Sequence, residues 1–353
     1  MTVLRGTVFC WAKPRGDPEV FLHPKGGKSL ATYNGTANSV PELLQGVVSF
    51  LTDPANFGTG NEWQLMRPDT VQAVTDEAIL KGVGDGQDAI YIGLKIKTGA
   101  ANGQQDLVLN GYAGYDPGLA WEEQPGSIYH AKLPTLALAG NTFLTYWASA
   151  NTSRVIIVVE MSSQYESAYL GYLKPVAVER QYPYPMVIGG SYIEGANWTN
   201  TTPGHSAFTN PGSDNYAGLG EYGSADTVSA LQDTTSLRVR RPDGAWRSGL
   251  NRNSIDKAMH FEKLCVWPTN TEPVRTLTVY DKVLTVENVI MYPFLLYESY
   301  PVGIIGQLDG VYWIGNREDL AAKDSIIYQD KVYKIFCNVF RRDNDQYFAV
   351  EWT

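Results

Sequence analysis

Arg154-Val-Ile-Ile-Val-Val-Glu-Met161, then Tyr165-Glu-Ser-Ala-Tyr-Leu-Gly-Tyr172, then Gln181-Tyr-Pro-Tyr-Pro-Met-Val-Ile-Gly-Gly-Ser191 is the stretch from which the fold is read. Val155 to Val159 form an unbroken apolar run of β-branched residues, the pattern of a strand covered on both faces. Ser167 to Leu173 make a second, aromatic-rich strand. In Tyr182-Pro183-Tyr184-Pro185 each proline fixes its own φ and drives the residue before it out of the helical region, so the segment runs extended. Tyr182 and Tyr184 on that rod offer a stiff apolar surface with hydroxyl tips, suited to a subunit contact.

Working outward, one helix is clear. Ser39 with Glu42 forms a capping box, Pro41 stands in the first turn, and Leu43, Leu44, Val47, Val48 and Leu51 make an apolar face. Further strands are expected at Ala78-Ile-Leu80, Ala89 to Ile96, Leu107-Val-Leu109 and Phe143 to Ser149, with glycine turns at Gly82 to Gly86 and Gly99 to Gly103. Six more follow at Leu237 to Val239, Thr276 to Tyr280, Val289 to Tyr297, Val311 to Ile314, Val332 to Phe336 and Tyr347 to Trp352. Leu308-Asp-Gly310 and Asp330 read as turns between them. The expected class is mainly β: a sandwich or meander central domain, one N-terminal helix and a small C-terminal β-module. The expected divisions are residues 1–59, 60–192, a long loop at 193–235, and 236–353. In that loop Gly, Asn, Thr, Ser and Asp surround Trp198, Phe208, Tyr216 and Tyr222, aromatics that can anchor in a neighbouring subunit.

Composition agrees. Aromatics make up 12% and charged residues 18%, with 34 glycines, the profile of a turn-rich β protein. A net charge of −9 argues against direct nucleic-acid binding, which needs clustered Lys and Arg; Arg238-Val-Arg-Arg241 and Arg341-Arg342 are local exceptions. Cys10, Cys265 and Cys337 are three, far apart and without a Cys-x-x-Cys pair, so neither a disulfide framework nor a zinc site is expected. The N-terminus does not read as a signal peptide, and no apolar run approaches the ~20 residues of a membrane helix.

Candidate chemistry is thin. Lys25-Gly-Gly-Lys-Ser29 ends like a phosphate loop, but Leu22 occupies the position of its first glycine. His23, His130, His205 and His260 are isolated from one another. Glu122-Glu123 has the composition of a glycosidase pair, yet neighbours on a strand point apart. Gln124-Pro125-Gly126 reads as a type II turn, with Trp121 and Trp147 capping the core of the central domain. No catalytic group, cofactor or metal is expected, and no enzymatic activity.

Several of these motifs, taken in order, resemble a family of tailed-bacteriophage virion structural proteins. They are Trp121-Glu-Glu-Gln-Pro-Gly126, Leu144-Thr-Tyr-Trp147, Ala150-Asn151, Arg154-Val-Ile-Ile157, Tyr169-Leu-Gly171 and Gln181 through Ser191. Gly306-Gln-Leu-Asp-Gly310-Val-Tyr-Trp313, Val332-Tyr-Lys-Ile335, Asn338-Val-Phe-Arg341 and Tyr347-Phe-Ala-Val350 resemble the end of the same proteins. The resemblance spans residues 60–191 and 290–353, and the loop at 193–235 has no counterpart in it. It implies a virion component, assembled in the host cytoplasm, that works by self-association and by contact with other tail or head-tail connector proteins. The oligomer expected is a ring, which requires a heterologous, closing interface. The neck or collar is favoured over the baseplate because no receptor-binding repeat and no lysozyme-like motif is visible. The alternatives are a baseplate or tail-tip module binding host receptor or glycan through its aromatic loops, and a hydrolase acting through Glu122.

Overall fold

The structure is a computed structural model that describes residues 30–84, 89–128, 133–174, 186–195, 237–240, 244–248, 264–267, 291–298, 303–314, 320–328, 330–337 and 347–353. Strand accounts for 57% of the described residues, in three antiparallel sheets, so the mainly-β expectation holds.

The central sheet, sheet A, joins β1 (Ala31–Ala37), β7 (Leu144–Asn151), β8 (Arg154–Met161), β9 (Gln164–Tyr172), β10 (Met186–Gly189), β12 (Leu237–Arg240) and β13 (Trp246–Ser248) in that order. Sheet B runs β11 (Tyr192–Ile193), β6 (Pro134–Ala139), β5 (Gln104–Tyr112), β4 (Ile90–Thr98), β3 (Glu77–Gly82), β2 (Gln64–Arg67). Sheet C runs β14 (Leu264–Trp267), β15 (Met291–Glu298), β16 (Gly303–Ile314), β19 (Tyr347–Glu351), β18 (Lys331–Cys337), β17 (Ser325–Tyr328).

Sheet A is the middle layer, and β8 shows why. Because side chains alternate along a strand, Val155, Ile157 and Val159 enter the core shared with sheet B and the helix, while Ile156 and Val158 enter the core shared with sheet C. The continuous apolar run is therefore a strand buried on both faces, as its sequence predicts. Trp147 belongs to the second core, against Phe336 at 5.2 Å between ring centroids. Trp121 joins the first core.

The helix α1 (Val40–Thr52) starts where the sequence predicts. Ser39 Oγ accepts the Glu42 N–H at 3.3 Å, but the Glu42 carboxylate reaches one residue further back than a capping box requires, to the Asn38 N–H at 2.7 Å. A second, one-turn helix, α2 (Pro54–Phe57), follows. Gly103 at φ 74° closes the β4–β5 hairpin, and Asp330 at φ 62° closes the β17–β18 hairpin, both at predicted turns.

Leu308-Asp-Gly310 is not a turn between strands. It lies inside β16 as a bulge: Pro293 pairs with Tyr312 and Leu295 with Gln307, so four residues, Leu308 to Val311, oppose Phe294 alone. The strand expected at Thr276 to Tyr280 lies outside the described residues, as do Cys10 and the side chain of Cys265. Cys337 is buried in the core of sheets A and C, as a small apolar side chain would be.

Candidate functional site: the junction of three sheets at Arg154

The β7–β8 hairpin turns through two residues, Thr152 and Ser153, between the paired Asn151 and Arg154. Asn151 Oδ1 makes the turn rigid by accepting from the Ser153 N–H at 2.9 Å, the Ser153 hydroxyl at 3.1 Å and the Arg154 N–H at 3.0 Å. This tip belongs to sheet A but is fastened to both neighbours. Toward sheet B, Gly84 N–H donates to Thr152 O at 2.8 Å, the Thr152 hydroxyl donates to Gly84 O at 3.0 Å, and Trp63 Nε1 donates to Asn151 O at 2.9 Å.

Toward sheet C the fastening is ionic. Arg154, with a side chain 1% exposed, places Nε 3.0 Å from Asp309 Oδ2 and Nη2 3.9 Å from Glu351 Oε2, while Nη1 donates to Ser149 O at 3.1 Å. Asn151 Nδ2 donates to the same Asp309 oxygen at 3.0 Å. The Asp309 N–H donates to the Tyr169 hydroxyl at 3.1 Å, and that hydroxyl donates to Tyr172 O at 3.0 Å. Burial, followed by the neighbouring Asp309 charge, pushes the Tyr169 hydroxyl up from its ordinary range, so it stays protonated as the donor this chain needs. Ser149 Oγ donates to Glu351 O at 2.8 Å, and Glu351 also holds Lys331.

The β16 bulge supplies the matching surface residue by residue. Gly306 lets the strand approach β9: a Cβ there would lie 2.8 Å from Leu173 Cβ. Gln307 exchanges backbone bonds with Lys174, 2.8 and 2.9 Å long, continuing the sheet A strand into sheet C. Leu308 is buried in the core of sheets A and C. Asp309 meets Arg154, and Gly310, at φ 73°, leaves the room that the Arg154 guanidinium fills. A second ionic clamp lies along the same interface, where Lys323 Nζ sits 2.6 Å from Glu160 Oε1 and 6.0 Å from the rings of both Trp147 and Tyr165.

The Trp121 to Gly126 motif is fastened likewise. Buried Gln124 accepts the Asp116 N–H at 2.8 Å and donates to Asp116 O and Leu119 O at 2.9 and 3.0 Å. Ser127 N–H bonds Gln124 O at 3.0 Å and Gly126 takes φ 68°, as the expected turn demands. Glu122 and Glu123 stand in a 3-10 turn, Trp121–Glu123, and not on the strand assumed for them. Burial raises the Glu122 carboxyl, but hydrogen bonding and charge from Lys95 and Lys97 outweigh it and hold the group below its ordinary value. It is thus an ionised bridge, 3.0 Å from Lys95 Nζ and 3.7 Å from Lys97 Nζ, and is not poised as a general acid.

The contact candidates Tyr182, Tyr184, Trp198, Phe208, Tyr216 and Tyr222 lie outside the described residues, as do all four histidines and Lys25 to Ser29. Among the described residues no group of three or more His, Cys, Asp or Glu side chains could hold a metal ion, and no helix is long and apolar enough to cross a membrane. Asn151, Arg154, Tyr169 and Asp309 each stand in a sequence motif, but nothing local pairs Arg154 with a residue 155 positions away, and Trp63, Ser149 and Glu351 join the junction from outside those motifs. In comparison with known proteins, the chain matches no protein-family model and no curated protein.

Proposed function

We propose that this chain is a structural component of a tailed-bacteriophage particle, self-associating as a ring at the neck or collar where head meets tail. The observation that carries the reading is where the motifs of the virion-protein resemblance fall. Ala150-Asn151, Arg154, Tyr169-Leu-Gly171 and Gly306 to Gly310 meet in one junction that locks three sheets together. Trp121 to Gly126 fasten a surface loop. These residues are spent on rigidity, which is what a load-bearing ring subunit requires of them, and the role is mechanical rather than catalytic.

The subunit contacts in this reading are made by Tyr182, Tyr184 and the aromatics of the 193–235 segment, which reach adjacent copies and the connector proteins above and below. Purified full-length chain is the test. Native mass spectrometry and class averages of negatively stained particles are expected to give a closed ring of one rotational symmetry. A monomer at every concentration examined contradicts self-association.

A further inference from the structure

The chain leaves sheet A at Gly189 and enters sheet B at Tyr192 by way of Gly190 and Ser191, and this corner is built tightly. A Cβ on Gly190 would lie 2.6 Å from both Thr135 N and Thr135 O. Ser191 Oγ accepts the Ser167 N–H at 2.7 Å and donates to Ser167 O at 3.3 Å. On its outer edge β6 is paired with β11 only at Pro134 and Thr135. The next two outward amides of β6 are capped by side chains of sheet A: Ala137 N–H donates to Glu166 Oε2 at 2.7 Å, and Ala139 N–H to Met161 Sδ at 3.0 Å.

Glu166 is fully buried, in the row with Ala168 and Leu170 that faces sheet B, and its Oε1 has no hydrogen-bond partner. Thr135 Oγ1, two residues before Ala137 on β6, is likewise buried and unpartnered. From β5 the charged group facing Glu166 is another carboxyl, Asp106, which Gln104 and the Gly195 N–H hold. Beyond Asp106 stands Glu194, whose charge is already matched by Lys97 at 2.9 Å. Among the described residues no cation faces Glu166 from β5, β6, β8 or β10. One backbone amide cannot hold an ionised carboxylate in such surroundings, so the group keeps its proton.

We propose that this corner is a proton-held latch, in which neutral Glu166 seals the edge of β6 against β9 and loss of its proton parts sheet B from sheet A along that seam. Burial first, then the Asp106 charge, pushes the Glu166 carboxyl well above its ordinary value; burial pushes Asp106 up to about 6. Both folded values are raised above those of the unfolded chain. The stability these groups give is therefore full below about pH 4 and is lost as pH rises, Asp106 giving up its share through about 6.

The test is amide exchange at Ala137 and Ala139 in the full-length chain and in Glu166→Gln, which keeps an acceptor for Ala137 and cannot ionise. After division by the intrinsic base-catalysed rate, opening above about pH 6, where the Asp106 share is spent, is expected to keep growing in the wild type by up to about tenfold per pH unit and to stay level in Glu166→Gln. Parallel profiles in the two proteins overturn the latch. Should Glu166→Gln fail to fold, infrared spectra of wild type carrying isotope-labelled glutamate decide. A protonated glutamate carboxyl band at neutral pH that fades as exchange rises is expected, and its absence at neutral pH overturns the proposal.

Discussion

Arg154 Nε and Asp309 Oδ2 stand 3.0 Å apart, joining a hairpin tip of sheet A to a bulge in sheet C across 155 positions of sequence. The guanidinium is buried, while the Asp309 side chain keeps 25% of its exposure. Breaking such a pair from one side leaves the other charge without its partner inside the protein. Asp309→Ala is expected to cost about 3–5 kcal/mol by denaturant midpoint, with Arg154→Ala in the same range. A double-mutant cycle is expected to show coupling well above the few tenths seen between independent sites, and additive losses would mean the contact does not join the sheets.

Gly310 and Gly60 separate two effects of a methyl group. Both have positive φ, 73° and 86°, but a Cβ on Gly310 meets the Arg154 guanidinium and one on Gly60 meets nothing within 4 Å. Gly60→Ala is expected to lose only the backbone strain of about 1–2 kcal/mol. Gly310→Ala is expected to lose clearly more, and equal losses in thermal melts would remove the crowding argument.

Adjacent isoleucines on β8 report on different interfaces. Ile156→Ala and Ile157→Ala are each expected to cost about 2–5 kcal/mol, since both side chains are buried. Their local effects should differ: hydrogen exchange is expected to quicken in β16 and β18 for Ile156→Ala, and in α1 and β4 for Ile157→Ala. The same exchange pattern from both substitutions would contradict the three-layer arrangement.

At Glu122 the prediction is a small loss with a definite sign in pH. Its side chain is 44% exposed, so Glu122→Gln is expected to cost under about 1 kcal/mol at neutral pH. Because its folded value lies below the ordinary one, its contribution is present above the ordinary carboxylate range and is lost as pH falls through the folded value. Wild type and Glu122→Gln should therefore converge in stability on acidification, and a gap that widens there would reverse the assignment.

What was legible in the sequence was local. Five apolar residues in a row, Val155 to Val159, state that β8 is covered twice, and Ser39 with the apolar spacing of Leu43, Leu44, Val47 and Val48 states α1. Gln124-Pro125-Gly126 carries its own turn chemistry. By contrast nothing local sets the bounds or the partner of β1, Ala31-Thr-Tyr-Asn-Gly-Thr-Ala37, which pairs with β7 more than a hundred residues on. Asp309-Gly310 reads as a turn because Asp-Gly favours one nearly everywhere; the bulge exists because Arg154 needs that carboxylate and that missing Cβ. Glu166 stands next to the strand read at Ser167 to Leu173, and only the layer above β9 makes it a buried residue.

The central claim, a place in the phage particle, is tested most directly by labelling virions with antibody to this chain and viewing them by negative-stain electron microscopy. Label at the junction of head and tail is the expected result. Label confined to the distal tip would contradict the collar assignment in favour of a baseplate or receptor-binding role, and intact particles without label would contradict the virion reading itself.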